Sequence, residues 1–182
     1  MLLLLLGCPG ALSDKFVFGE DPTDTAPDPV DTAPPTDLDC DLALGTPDPG
    51  ECLTGSLSCG DVLQASTGGG NRQYTDTFYG TAYCFVPYDM YEGPERIYSL
   101  AFDEAHHAEL VLASPCRDLA FAAARWEPTD SCPPEDNHQI LECEGKEASG
   151  GARLTLSSPT SARYLVMVDG PEANFELRVE CP

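Results

Sequence analysis

The sequence predicts an all-β domain: a disulfide-stapled, antiparallel β-sandwich of jelly-roll type, set behind a disordered, acidic, proline-rich tether. Three observations predict it. Beyond Cys40 short runs alternate apolar and polar residues with a period of two, the pattern of half-buried strands. Clusters of Gly, Pro, Asp and Ser separate these runs about every ten residues, the spacing of a sandwich or jelly roll. Nine cysteines in 182 residues exceed what a reduced compartment tolerates, since disulfides persist only where conditions are oxidising.

The clearest strand is Phe175 to Glu180, where Phe175, Leu177 and Val179 face a core while Glu176, Arg178 and Glu180 face water. Ile97 to Phe102 puts Tyr98, Leu100 and Phe102 on one side. Glu109 to Leu112 reads as another strand, and Ala152 to Leu156 sets Leu154 against a polar opposite face. In Arg163 to Asp169, Tyr164, Val166 and Val168 share one face while Leu165 and Met167 share the other. Apolar residues on both faces predict a strand in the middle of a sheet, covered on both sides. Asp118 to Trp126 reads DLAFAAARW; its alanines suit a helix, but its place between strands and its turn-rich flanks predict a strand. Trp126 and most of the tyrosines are expected in core or rim packing.

From Glu20 to Asp39 the chain reads EDPTDTAPDPVDTAPPTDLD, with an imperfect repeat in Asp24-Thr25-Ala26-Pro27 and Asp31-Thr32-Ala33-Pro34. Such a segment has too little apolar area to offset the entropy of ordering it. At about 3.1 Å per residue in polyproline II, roughly 30 residues reach on the order of 90 Å. Its Thr and Pro content also suits O-glycosylation on composition alone.

Lys and Arg number 9 against 31 Asp and Glu, a formal net charge of −22. A chain this acidic repels phosphate backbones, so nucleic acid is excluded as a partner. The catalytic signals are thin as well. Of the three histidines, His106 and His107 are adjacent in Glu104-Ala105-His106-His107, which reads as a surface turn with rings pointing apart, and His138 stands alone. No C-x₂-C or H-x₃-H spacing suggests zinc, and no G-x-S-x-G or H-E-x-x-H context suggests a hydrolase. Carboxylate pairs such as Asp103-Glu104 and Glu135-Asp136 are expected by chance at this charge. Gly68-Gly69-Gly70 lacks the Lys-Ser/Thr of a phosphate loop and reads as a hairpin turn. The sequence therefore predicts no enzyme, no metal and no cofactor.

Met1 to Gly7 reads MLLLLLG ahead of Cys8, a run far shorter than the ~20 apolar residues that span a bilayer. Leu5-Leu6-Gly7-Cys8 resembles the lipobox of bacterial lipoproteins. That resemblance implies cleavage before Cys8, a lipidated Cys8 as the first mature residue, and a membrane partnership through the lipid. Each acyl chain contributes roughly 0.8 kcal/mol per buried CH₂, so two or three together anchor stably. Pro9 stands where an inner-membrane retention signal would show an aspartate, which implies the outer membrane of a Gram-negative envelope. The expected organisation is a signal peptide at 1–7, an anchored linker at 8–39 and a β-sandwich at 40–182.

Within that last region, Cys59-Gly60-Asp61, Gly68-Gly69-Gly70-Asn71, Tyr83-Cys84, Gly93-Pro94-Glu95 leading into Ile97-Tyr98, and Tyr164-Leu165-Val166-Met167-Val168-Asp169-Gly170 are followed by a closing Phe175 to Cys181. These segments resemble the bacterial pre-peptidase C-terminal domain and related lipoproteins, over about 120 residues. The resemblance implies a jelly-roll-like accessory module for adhesion or substrate binding, without catalytic activity of its own. The acidic run often seen before the middle strand in that family is reduced here to Cys116-Arg117-Asp118, so its calcium site is not carried over. Once Cys8 is set aside, the other eight cysteines allow 105 pairings. The family pattern implies Cys59 with Cys84 and Cys132 with Cys143. Cys40, Cys52, Cys116 and Cys181 then supply two more bridges in an open order, with Cys52 to Cys181 favoured because both flank the domain ends. The function expected is a non-catalytic, lipid-anchored envelope module that binds a protein, peptide or glycan. The alternative is a structural surface lipoprotein with no discrete ligand site.

Overall fold

The computed structural model describes residues 37–42, 44–45, 52–75, 78–79, 93–128, 131–134 and 143–182, with the backbone alone for 143–150. Seven strands lie among these residues: β1 (Gly55–Leu57), β2 (Val62–Ser66), β3 (Arg96–Phe102), β4 (His106–Arg125), β5 (Cys143–Ser158), β6 (Ala162–Asp169) and β7 (Asn174–Glu180). The fold is all-β, as the period-two alternation predicts. The strands form one sheet in the order β1-β3-β6-β4-β7-β2, with β5 on the remaining edge of β4, and the sheet curls into a half-barrel.

The length of β4 makes the curl. Its first part, Glu109 to Ala113, pairs with β7, and its second part, Ala120 to Arg125, pairs with β6. β5 follows the other edge throughout, with a register irregularity between Ser114 and Leu119. Pro115 lies in that interval and has no N–H to give the ladder, which is where a sheet tolerates proline. The irregularity divides the sheet into a β2-β7-β4-β5 half and a β1-β3-β6-β4-β5 half. Both halves contribute to one core: Leu110, Leu112, Leu154, Phe175 and Leu177 from the first, Tyr98, Leu100, Phe121, Val166 and Val168 from the second. This is the sandwich expected from sequence, with one correction. The sheet is mixed, not purely antiparallel, because β1 runs parallel to β3. The chain leaves β1 for β2 in the other half and returns to β3 by a crossover, which sets the two strands in the same direction.

Individual strands follow their patterns closely. β6 lies between β3 and β4. Its Tyr164, Val166 and Val168 enter the main core, and Leu165 and Met167 enter a second cluster on the opposite face. That second cluster explains the alanines of β4. Ala120, Ala122 and Ala124 lie under Tyr74, Phe78 and Tyr79, and Tyr74 stacks on Phe78 with centroids 3.8 Å apart. Small side chains on that face leave room for an aromatic cover, while Leu119, Phe121 and Ala123 fill the main core. Packing on both faces thus overrides the helical preference of alanine. Trp126 packs against the second cluster and donates its Nε1–H to Ser131 O at 2.9 Å, the packing role expected of it.

Three pairs of cysteines lie at disulfide distance: Cys40 with Cys116, Cys52 with Cys132 and Cys59 with Cys181, with Cα separations of 5.5, 6.0 and 5.6 Å. These correct the expected pattern at Cys59, Cys132 and Cys52. Cys59 sits in the turn before β2, whose partner β7 delivers Cys181 alongside it. The sequence-adjacent partner Cys84 is thereby displaced. Cys132 follows Trp126 beneath the second cluster, where Cys52 also packs. Cys84 lies outside the described residues, and Cys143 opens β5 opposite Ala124. Three such pairs suit an oxidising compartment, periplasmic or extracellular. Among the described residues no helix is long and apolar enough to cross a membrane.

Candidate functional site

The two ends of the strand order, β1 and β2, are joined by the short turn Ser58 to Asp61 and diverge from it into opposite halves of the sheet. The turn is closed by Asp61 N–H donating to Ser58 O at 3.1 Å and Ser58 N–H donating to Asp61 Oδ2 at 2.7 Å. Gly60 there has φ +87°, a left-handed conformation that glycine adopts without penalty. Beside it the Cys59–Cys181 pair ties the turn to the end of β7. Among the described residues β1 pairs only with β3 and β2 only with β7, so each presents one unpaired backbone edge.

Between these edges lies a slot of about 410 Å³. Leu57, Leu63, Ala65 and Tyr98 form its apolar floor, and all four belong to or pack against the main core. Ser56, Asp61 and Gln64 give it a polar rim, and Val62 stands 62% exposed beside it. The end away from the turn is bounded by Arg96, which reaches from β3 across to the end of β2. Its Nε donates to Ser66 O and its Nη2 to Gly68 O, each at 2.7 Å. Along β2, four steps of about 3.3 Å give the slot a length of about 13 Å. An apolar floor between two rows of unpaired backbone groups has the makings of a strand-addition site.

A second constellation sits behind Arg96, buried. Glu95 is 1% and Asp169 0% exposed. Glu95 Oε1 accepts from the backbone N–H of Gln73 at 2.7 Å and of Tyr74 at 3.2 Å, and its Oε2 accepts from the Tyr79 hydroxyl at 3.2 Å. Asp169 Oδ1 accepts the Gly170 N–H at 2.5 Å. Burial, and next the charge of Glu95, push the Asp169 carboxyl up from 3.8 to about 8, against hydrogen bonds from Gly170, Gly93 and Tyr79 that lower it. Burial and Glu95 likewise push the Tyr74 hydroxyl far above its ordinary value; it donates to Pro133 O at 2.7 Å. The Gly93-Pro94-Glu95-Arg96-Ile97-Tyr98 and Tyr164-to-Gly170 segments therefore meet, on adjacent strands with Arg96 opposite Val168. Their polar residues act inside the fold: Glu95 organises the aromatic cover and Arg96 joins the two halves of the sheet.

Among the described residues, the others singled out from sequence do not converge. His106 and His107 begin β4 instead of occupying a turn. The His106 ring stacks on Phe102 with centroids 3.7 Å apart and meets Tyr164 edge-on at 5.7 Å, while His107 is exposed and alternates to the other face. Asp103 and Glu104 are exposed in the β3–β4 turn. Cys8, His138, Glu135 and Asp136 lie outside the described residues. Gly68 and Gly69 form a turn, closed by Gly70 N–H donating to Thr67 O at 2.9 Å. It is not a hairpin: β2 pairs with β7, and Asn71 goes on to bridge Glu95. Glu176, expected in water, is 5% exposed; it pairs with Arg178 and accepts from Gln64 Nε2 at 2.9 Å.

Sequence reasoning passed over the slot. The signal it contained was Val62-Leu63, two neighbouring apolar residues that a strand must send to opposite faces, so that one is left outside.

No family model matches this chain, and no curated protein matches it. Among solved structures it is similar to a pre-peptidase C-terminal domain of a collagenase from Bacillus anthracis, with TM-score 0.41, 9% identity, and 69% of this chain and 94% of that one covered. It is also similar to a periplasmic inhibitor of g-type lysozyme from Aeromonas hydrophila, with TM-score 0.34, 12% identity, and 68% and 87% covered. A mitogen from Yersinia pseudotuberculosis follows, with TM-score 0.28, 7% identity, and 48% and 86% covered. At these TM-scores none of the three assigns a family or a function to this chain.

Proposed function

We propose that this chain is a non-catalytic binding module of the Gram-negative envelope, held on the outer membrane by lipid at Cys8, which takes an extended peptide segment of a partner protein into the slot between β1 and β2. The observation that carries the reading is the slot itself: two unpaired strand edges over an apolar floor. An extended peptide satisfies unpaired edges with main-chain hydrogen bonds and places alternate side chains on the floor. The lipid anchor rests on Leu5-Leu6-Gly7-Cys8, and the stand-off from the membrane on the proline-rich acidic stretch before Cys40. Non-catalytic action is supported by the place of His106, packed between aromatic rings and not set against a nucleophile.

The test is panning of a displayed peptide library on the full chain carrying Cys8→Ser. The peptides expected are extended sequences whose capture falls with Ala65→Leu, which fills the floor without changing charge, and with Val62→Ser, at a position too exposed to matter for folding. Peptides held equally well by both variants would contradict the reading. The anchor is tested separately by intact mass and membrane fractionation. Acyl mass and outer-membrane partition are expected for the native chain and are lost in Cys8→Ser; an unacylated, soluble native chain would remove the anchor.

A further inference from the structure

We propose that the slot between β1 and β2 takes a cationic extended segment, in which aliphatic residues alternate with lysine or arginine, and that its occupant is not a second copy of this chain. This rests on the strand-addition reading of the slot. Along an added strand, side chains at alternate positions point to opposite faces. One set descends onto Leu57, Leu63, Ala65 and Tyr98, which requires apolar groups. The other set faces solvent and the field of a chain with net charge −22. Such a field draws cations toward a cleft and repels anions.

Two arginines flank the slot, and both are engaged. Arg96 is buried, with its guanidinium turned to the Ser66 and Gly68 carbonyls, and Arg178 is paired with Glu176. An arriving lysine therefore meets Asp61 at the rim of a chain whose net charge is −22. A second copy would bring another −22 to the same contact, so edge-to-edge self-pairing is opposed by the charge that favours a basic partner. A strongly charged exterior around a free edge is also how β proteins avoid pairing with themselves.

The test is calorimetric titration of the full chain carrying Cys8→Ser with three blocked hexapeptides: alternating Lys-Val, alternating Glu-Val, and Lys-Val with every second amide N-methylated. The Lys-Val peptide is expected to bind at least about tenfold more tightly than Glu-Val, to weaken as salt rises, and to lose its binding on N-methylation. Equal or tighter binding of Glu-Val would overturn the cationic preference while leaving the slot reading standing. Lys-Val binding that survives N-methylation would overturn the proposal, because it would be charge attraction without strand pairing. Sedimentation showing the chain alone to be a dimer that Val62→Lys dissociates would also overturn it. If no peptide from the library depends on the slot, the strand-addition reading itself fails.

Discussion

The Tyr79 hydroxyl donates to Glu95 at 3.2 Å with both side chains sealed from solvent, so one tyrosine of the aromatic cover is fastened to the acid that also holds the backbone of Gln73 and Tyr74. Three donors thus converge on the Glu95 carboxyl. Asp169, buried beside it, is pushed up to about 8, by burial first and by the charge of Glu95 next.

That shift makes stability depend on pH. Between about 4 and 8 folded Asp169 keeps a proton that the unfolded chain has released, so its contribution to stability falls as pH rises through that window. Asp169→Asn keeps an oxygen for the Gly170 N–H and removes the titration. Melting temperatures of the two proteins should diverge from pH 4 to pH 8, with the variant the more stable at pH 8. Parallel pH profiles would show that Asp169 does not titrate in this way.

Non-reducing peptide mapping should recover Cys40 joined to Cys116, Cys52 to Cys132 and Cys59 to Cys181, leaving Cys84 and Cys143 as the expected fourth pair. The Cys59–Cys181 pair closes a loop with a sequence separation of 122. Replacing both with serine should cost about 2–4 kcal/mol in denaturant unfolding.

Phe121 and Val62 should separate core from rim. Phe121 is fully buried and Val62 is 62% exposed. Phe121→Ala should cost about 3–5 kcal/mol, whereas Val62→Ser should stay within about 0.5 kcal/mol of the native chain. A large loss from Val62→Ser would mean that the fold needs this side chain and that it is not available to a partner.

Gly69 has φ +78°, where an L side chain costs about 1–2 kcal/mol. Gly69→Ala should show that loss. Gly70→Ala should lose more, because a Cβ there would collide with the carbonyls of Glu95 and Thr67. Equal, negligible effects on thermal unfolding would contradict the turn geometry that carries the chain from β2 past Arg96.

Much of this architecture was legible because alternation reports burial directly. Arg163 to Asp169 declared two covered faces, and β6 has them. The parallel placement of β1 was not legible, since three residues carry no direction and the crossover depends on where β2 docks. Disulfide partners were misread for the same reason: they are set by which strands lie side by side, and β2 beside β7 joins the turn before β2 to the chain's last strand. Glu176 read as a surface acid, and nothing marked Glu95 or Asp169 for burial in a chain with 31 acids. Nothing in composition distinguishes a carboxylate about to be buried. The slot escaped notice because it is made by two strands failing to pair, which no local pattern encodes.

Hydrogen exchange on the full Cys8→Ser chain, with and without the peptide selected by panning, measures the central claim most directly. Slowed exchange confined to Gly55–Leu57 and Val62–Ser66 is the predicted result, because only those strands carry the unpaired edges of the slot. Unchanged exchange in both strands while the peptide is bound, or protection centred on another part of the sheet, would contradict it.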